Sequence, residues 1–491
     1  MTKAENQGKP TQQHGRWRRL AFHLAAAAVA LSPLAAGELV LRLCVAAPPA
    51  RPDDPYVSFS DLPPLFVLDP NGSRFETAAT RLTAFRPQTF PANKNTRTFR
   101  IFCLGGSTVQ GRPYSVETSF TTWLQLNLKA AQPETNWEVI NCGGISYATY
   151  RLVPIMRELL AHQPDLFVIY AGHNEFLEDR TYADIREVPH VLIRLHRAML
   201  SLRSYALADR WLARRQRRRR RATPTVMSAE VQTKLDLAEG LESYQRDPVW
   251  RRNVIAHFRH DLAAMTRMAQ DTGIPVILVN PVVNLKDCPP FKSEFRTDLS
   301  EHDRQQLRDL WDRARALEWT DIHDKIDLFE QAVALDSRHA RLLFLIGTCY
   351  EHIGQWAEAK QWFVRAKDED ICPLRILEPM RDVIRDVAIQ HGLPLVDIQA
   401  MIEARTDDGI PGDQWLLDHV HPTISGHQFI ADALCRAMAE LNLVRLPEHW
   451  ESARRQSWQS HLASLNDAYY AQGLARLKRV RDWSRGRIHQ K

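Results

Sequence analysis

Residues 97–108 read RTFRIFCLGGST. An apolar run of strand length ends at two glycines, and a serine stands at the turn, about ten residues before the next helical pattern. A strand apolar at successive positions is buried on both faces, as in parallel sheets. Outward from this stretch the pattern repeats. Strand-like WEVINCGG (137–144), DLFVIYAG (165–172), PVILVNPVV (275–283) and LPLVDI (393–398) alternate with helical runs at 119–131, 150–162, 250–270 and 425–441. Apolar strands separated by helices predict an α/β domain, a three-layer arrangement with a parallel sheet between helices.

The chain has 491 residues, three times an ordinary domain, so the sheet domain accounts for only part of it. The alternation is broken twice. One insertion (177–245) carries RRQRRRRR at 214–221; remove those seven arginines and the net charge of +6 all but vanishes, so basicity is local. The run reads as a solvated loop, with anionic lipid or acidic polysaccharide as the binding alternatives. No aromatic residues are interleaved for base stacking, so no nucleic acid is expected. The second insertion (286–375) reads as helical throughout. Its stretch 332–370 sets Leu343, Gly347, Tyr350, Ala359, Phe363 and Ala366 at offsets resembling a tetratricopeptide repeat (TPR), with small residues where two helices approach. One full unit, preceded by a possible second helix of another (IDLFEQAVAL), is an incomplete array that cannot easily cover its own apolar face, which predicts that a protein partner or the C-terminal tail covers it.

At the other end, a basic flank (1–19) precedes LAFHLAAAAVALSPLAAG at 20–37. Basic residues before an apolar segment of export length predict a transmembrane signal anchor over 20–45, a single pass of the cell inner membrane with the rest on the periplasmic, extracytoplasmic side. A cleaved signal peptide is the alternative; prolines just after the candidate cut sites disfavour it. The expected organisation continues with a proline-rich tether and lead-in (46–95), a catalytic domain in two parts (96–285 and 376–442), and a helical tail (443–491) whose AYYAQGLARLKRV could pack against the helical insertion. Seven cysteines without a CxxC indicate neither a disulfide scaffold nor a zinc site; Cys288 and Cys372, which bracket the insertion, are either paired or buried thiols.

Four short motifs end strands or precede the last helix: Gly105-Gly106-Ser107-Thr108, Asn141-Cys142-Gly143-Gly144, Gly172-His173-Asn174-Glu175 and Asp418-His419-Val420-His421-Pro422. Each alone is an ordinary turn; their order is specific. A serine hydroxyl attacks only when an imidazole takes its proton, and the imidazole needs a carboxylate to fix its tautomer. Ser107, His421 and Asp418 supply those groups. His419 is the rival base, less well placed beside its own neighbour. No phosphate-binding glycine loop, HExxH or paired-cysteine pattern occurs, so this chemistry requires no cofactor and no metal.

In these four blocks the chain resembles the SGNH (GDSL-type) hydrolases, over about residues 96–285 and 376–442. The resemblance implies an SGNH-hydrolase fold, Ser107 as nucleophile, His421 as general base and Asp418 as its orienter. It also implies an oxyanion hole from the N–H groups of Ser107 and Gly143 with the Asn174 side chain, and a structural role for His427. Two positions depart from the family pattern: Gly106 and Glu175 stand where aspartates are usual, which leaves open how the first and third loops are held. The implied substrate is an acylated small molecule or a cell-envelope glycan. Three functions follow: an esterase, an O-acyltransferase to an exopolysaccharide using the same triad, or a non-catalytic scaffold recruiting a partner through the TPR-like helices.

Overall fold

The computed structural model describes residues 32–33, 36–42, 62–178, 199, 202–205, 207 and 230–486. Two compact units are distinguished: residues 1–55 with 185–225, and residues 56–184 with 226–491. In the first, Glu38 accepts hydrogen bonds from the Ser204 and Arg203 N–H groups (2.9 and 2.7 Å), which hold its carboxyl down at about 2. Most of the expected anchor, the proximal tether and the arginine run fall outside the described residues. No helix among those described is long and apolar enough to cross a membrane.

The second unit starts earlier than its sequence suggests. Instead of a tether reaching to residue 95, residues 66–91 form an antiparallel sheet, β1 (Phe66–Leu68), β2 (Arg74–Thr77) and β3 (Thr89–Pro91). Its signal is the DPNG turn at 69–72: the Asp69 carboxylate accepts the Ser73 and Arg74 N–H groups, and Gly72 takes a φ of 67°. Phe66 and Phe90 are buried, and Glu158 accepts the Leu65 and Phe66 N–H groups at 2.8 Å each.

The parallel sheet follows. Strand β4 (Thr98–Gly105) runs into a single turn, α1 (Ser107–Gln110), then α2 (Phe120–Ala131) and β5 (Asn136–Gly143). Next come α3 (Thr149–Leu159), β6 (Leu166–Tyr170), α4 (Pro248–Asp271) and β7 (Val276–Asn280). Strand order is β5-β4-β6-β7 and, last, the strand at 395–397, all parallel. The chain therefore reverses direction across the sheet at β4. In such sheets the crevice for ligands lies at the carboxyl ends of the strands beside that reversal, where Ser107 stands.

Four helices occupy the second insertion: α5 (Glu301–Ala316), α6 (Ile322–Leu335), α7 (Ala340–His352) and α8 (Trp356–Asp368). It is not helical throughout, as its sequence suggests. Residues 286–300 form no helix, because Pro289 and Pro290 interrupt them and their N–H groups go to carboxylates: Phe291 and Lys292 donate to Asp370 (2.8 and 3.0 Å), Arg296 to Asp336 (2.9 Å). Cys288 and Cys372 are both free thiols.

The sheet domain then resumes with α9 (Glu378–His391), β8 (Leu395–Asp397), α10 (Ile398–Glu403) and α11 (Ile424–Glu440). Ile101, Cys103, Val168, Ile277 and Val279 pack against Trp123 and Leu124 of α2 and Ile430 and Leu434 of α11. The alternate residues Phe102, Leu104, Phe167, Ile169 and Leu278 are equally buried, so helices cover both faces.

The tail forms α12 (Trp450–Ala463) and α13 (Asp467–Ser484). Contrary to the expectation that it packs on the insertion, α12 lies along α2, with the Trp450 and Trp458 indoles donating to Asn127 (2.9 and 2.8 Å). Helix α13 lies against the loop after Ser107. The Tyr469 hydroxyl pairs with Thr118 (2.8 Å), the Tyr469 ring stacks on Tyr114, and Arg476 donates to the Tyr114 carbonyl (2.8 Å). Gly473 allows this approach: a Cβ there would stand 2.0 Å from the Tyr114 ring. Positions 469, 473, 476, 480 and 484, one helical stripe, thus face the domain.

Candidate active site

Ser107 is the first residue of α1, set at the end of β4 by the Gly105-Gly106 turn. His421 Nε2 lies 2.8 Å from its Oγ. His421 Nδ1 lies 2.7 Å from Asp418 Oδ2, and Asp418 Oδ1 accepts the Val420 and His421 N–H groups at 2.9 Å each. Asp418 is buried, which by itself raises its pKa; the His421 and His419 rings and these hydrogen bonds outweigh that and hold the carboxyl well below the usual range. The three-residue spacing from Asp418 to His421 lets one tight loop present both groups. The loop is closed by the Leu417 N–H to the His421 carbonyl (2.8 Å).

His419 sits apart from the serine. Its Nδ1 is 3.5 Å from Asp418, its ring packs edge-on against Phe291, and burial, ahead of its charged neighbours, pushes its pKa down to about 4. His427 accepts the Phe120 N–H (3.2 Å), tying α11 to the start of α2.

Asn174 donates one amide proton to the Tyr147 carbonyl (3.0 Å). Gly106 is required beside it, since a Cβ there would lie 2.3 Å from Asn174 Nδ2. Any side chain at this position would have to displace the Asn174 amide. Glu175 holds the third loop: its carboxylate accepts the Thr149 N–H (3.0 Å) and hydroxyl (2.8 Å), capping α3, and burial raises its pKa to about 7.

Gly143 does not take the place the resemblance implies. Its N–H donates to the Asn141 side chain (3.0 Å), which leaves it no proton for a substrate oxygen, and it does not line the cavity beside Ser107. Ser146 does line it, with a φ of 60° rare for a residue with a side chain, and its N–H meets no acceptor among the described residues. The sequence signal was slight: a small polar residue in the loop between β5 and α3.

The cavity holds about 270 Å³ and is bounded by Ser107, Ser146, Asn174, His173 and His421 on the strand side and by Arg479, Val480 and Trp483 of α13 on the other. His173 Nδ1 lies 3.4 Å from the Ile376 N–H, which makes Nε2 the protonated nitrogen; that nitrogen is buried without a partner among the described residues. Burial, with Arg381 next, holds this imidazole neutral. The wall from α13 is secured by the Trp483 indole donating to Asp236 (2.9 Å) and Arg481 donating to the Leu417 carbonyl (2.6 Å). Sequence reasoning missed that wall, because contacts between residues 470–484 and 107–118 leave no local pattern. Among the described residues no group of His, Cys, Asp and Glu side chains is arranged to hold a metal ion.

Solved structures that the chain resembles are named as lipolytic proteins and acetylxylan esterases. They include a protein assigned to the G-D-S-L lipolytic family from Desulfitobacterium hafniense (11% identity, 69% of this chain and 98% of that one, TM-score 0.31). A lipase/acylhydrolase from Enterococcus faecalis matches at 13% identity over 71% and 99% of the two chains (TM-score 0.32). The acetylxylan esterase Axe2 from Geobacillus stearothermophilus matches at 12% over 69% and 94% (TM-score 0.32). No family model matches the chain, and no curated protein does. At these TM-scores the likeness carries no argument about activity, which rests on the geometry of the side chains.

Proposed function

We propose that the chain is a serine esterase of the SGNH type, forming an acyl-enzyme on Ser107. One observation carries the reading: an unbroken run of hydrogen bonds from Asp418 through His421 to Ser107, opening on a cavity. In the first step Ser107 Oγ bonds to the ester carbonyl carbon while its proton passes to His421 Nε2, and the carbonyl π electrons move onto oxygen. Collapse of that tetrahedral species breaks the carbon–alkoxy bond, and His421 returns the proton to the leaving alcohol. Water then repeats the cycle and frees the acid. The Ser107 and Ser146 N–H groups with the second Asn174 amide proton are the donors for the oxyanion, each aimed donor worth about 3 kcal/mol in the transition state. Asp418, kept ionised, fixes the His421 tautomer and balances the imidazolium.

The basic flank and apolar segment of residues 1–45 support anchoring in the inner membrane with this site on the periplasmic side. The TPR-like hairpin of α7 and α8 supports docking of a protein partner, and an acylated glycan of the envelope fits that setting. A second reading, transfer of the acyl group to a sugar hydroxyl, is favoured by one feature: α13 walls the cavity, and a wall that hinders water leaves the acyl-enzyme for another hydroxyl. Incubating the full-length chain in detergent with an aryl acetate, with and without an oligosaccharide acceptor, tests both. The esterase reading expects free acetate in each case and no turnover by Ser107→Ala; acetylated sugar as the main product establishes the transferase, and turnover by Ser107→Ala rejects both.

A further inference from the structure

Beyond the triad, the cavity is lined by two arginines, Arg112 and Arg479. Arg112 lies five residues after Ser107, its N–H bonded to the Ser107 carbonyl (3.1 Å), while Arg479 comes from α13 on the opposite wall. Arg86 and Arg476 belong to the same group: burial, then repulsion from Arg86, Arg476 and Arg479, pushes the Arg112 guanidinium down to about 10, and Arg86 is likewise lowered by burial and by Arg476.

Guanidinium groups so gathered normally face carboxylates. Here none of the four lies within ion-pair distance of a carboxylate among the described residues. Arg112 Nε reaches the Gln110 amide oxygen (3.3 Å), Arg476 the Gln472 amide oxygen and the Tyr114 carbonyl, and the Arg479 guanidinium makes no hydrogen bond among the described residues. The exposed Glu117 acts on Arg86 only at a distance. The one carboxylate on the cavity wall among the described residues, Asp236, accepts from Thr233 and the Trp483 indole and forms no ion pair with either arginine. Arg86, Arg112 and Arg476 are half-buried and Arg479 is exposed; holding like charges together beside a nucleophile in partial burial costs stability unless an anion arrives to offset them.

We propose that the ester bound beside Ser107 carries an anionic group, a carboxylate, phosphate or sulfate, held between Arg112 and Arg479. The proposal rests on the esterase reading and narrows its substrate class. Arginine suits the role, because its planar fork meets such oxyanions with paired hydrogen bonds. The charge lies on either the acyl or the alcohol half of the ester; the arginine pair serves both.

The test compares matched esters on the full-length chain in detergent: 4-acetoxybenzoate against its methyl ester for a charged alcohol half, and 4-nitrophenyl hemisuccinate against 4-nitrophenyl methyl succinate for a charged acyl half. The anionic member of at least one pair is expected to have the higher kcat/KM, by about tenfold or more, as for a charge-assisted hydrogen bond. In Arg112→Gln and Arg479→Gln that preference should shrink toward parity, while Arg267→Gln, an exposed arginine on α4, keeps it. The wild-type comparison needs no variant, so a variant that fails to fold does not spoil it. Parity or preference for the neutral ester in both pairs, with Ser107-dependent turnover intact, overturns the proposal and leaves the esterase reading standing. A preference that survives both arginine variants also overturns it, whereas turnover independent of Ser107 rejects the reading beneath it.

Discussion

Changing Asp418 to Asn perturbs one proton. In the native loop Oδ1 accepts two backbone N–H groups and Oδ2 faces His421 Nδ1 at 2.7 Å. An asparagine that keeps its oxygen on the backbone pair turns its NH2 toward the ring. That group donates, so Nδ1 must offer a lone pair and the imidazole proton moves to Nε2. Nε2 is the atom 2.8 Å from Ser107 Oγ, and once protonated it cannot accept the hydroxyl proton. An Asp to Asn change that reverses the tautomer in this way costs on the order of 10⁴ in kcat, or about 5 kcal/mol of barrier. The shape is conserved, so the fold should survive. The assay is kcat and KM for an aryl acetate on full-length protein, with a thermal melt as control; kcat should fall and KM change little. A loss of less than about tenfold in a folded variant would refute this reasoning.

Glu175→Gln should flatten the pH dependence of stability. The folded protein keeps this carboxyl proton up to about pH 7, whereas the unfolded chain releases it near the ordinary glutamate value, so stability falls as pH rises through that window. The wild type should lose about 3 kcal/mol there that the variant does not, seen as converging denaturant midpoints at pH 5 and a higher midpoint for the variant at pH 8; parallel profiles would contradict it. Gly106→Ala places a methyl against Asn174 Nδ2 and should lower kcat by about 10²-fold, the cost of one oxyanion donor, with a much smaller effect on melting. Gly473→Ala drives a methyl into the Tyr114 ring and should cost about 1–3 kcal/mol of stability and raise KM as α13 is pushed from the cavity; an unchanged KM would mean that α13 is not a working wall.

What the sequence made legible follows from distance along the chain. The strands and helices of the sheet domain are local patterns, and β4 to β8 lie where apolar runs put them. Ser107, Asn174, Asp418 and His421 stand at strand ends and loop positions that short motifs mark. The Gly143 assignment failed because an N–H looks the same in sequence whether it is free or, as here, spent on a side chain two residues back. Ser146 carries no motif; its exposure to the cavity comes from an unusual φ. The α13 wall depends on Gly473 meeting Tyr114 across more than 350 residues, a long-range contact invisible to periodicity. The sheet at 66–91 was hidden by the prolines before it, although the DPNG turn was there to be read.

The most direct test of the central claim is the mass of the enzyme itself. Full-length protein mixed briefly with an aryl acetate, quenched in acid and digested should carry one acetyl group on the peptide containing Ser107, and none in Ser107→Ala. Steady turnover with that peptide unmodified, or an acetyl group found on another residue and persisting in Ser107→Ala, would contradict it.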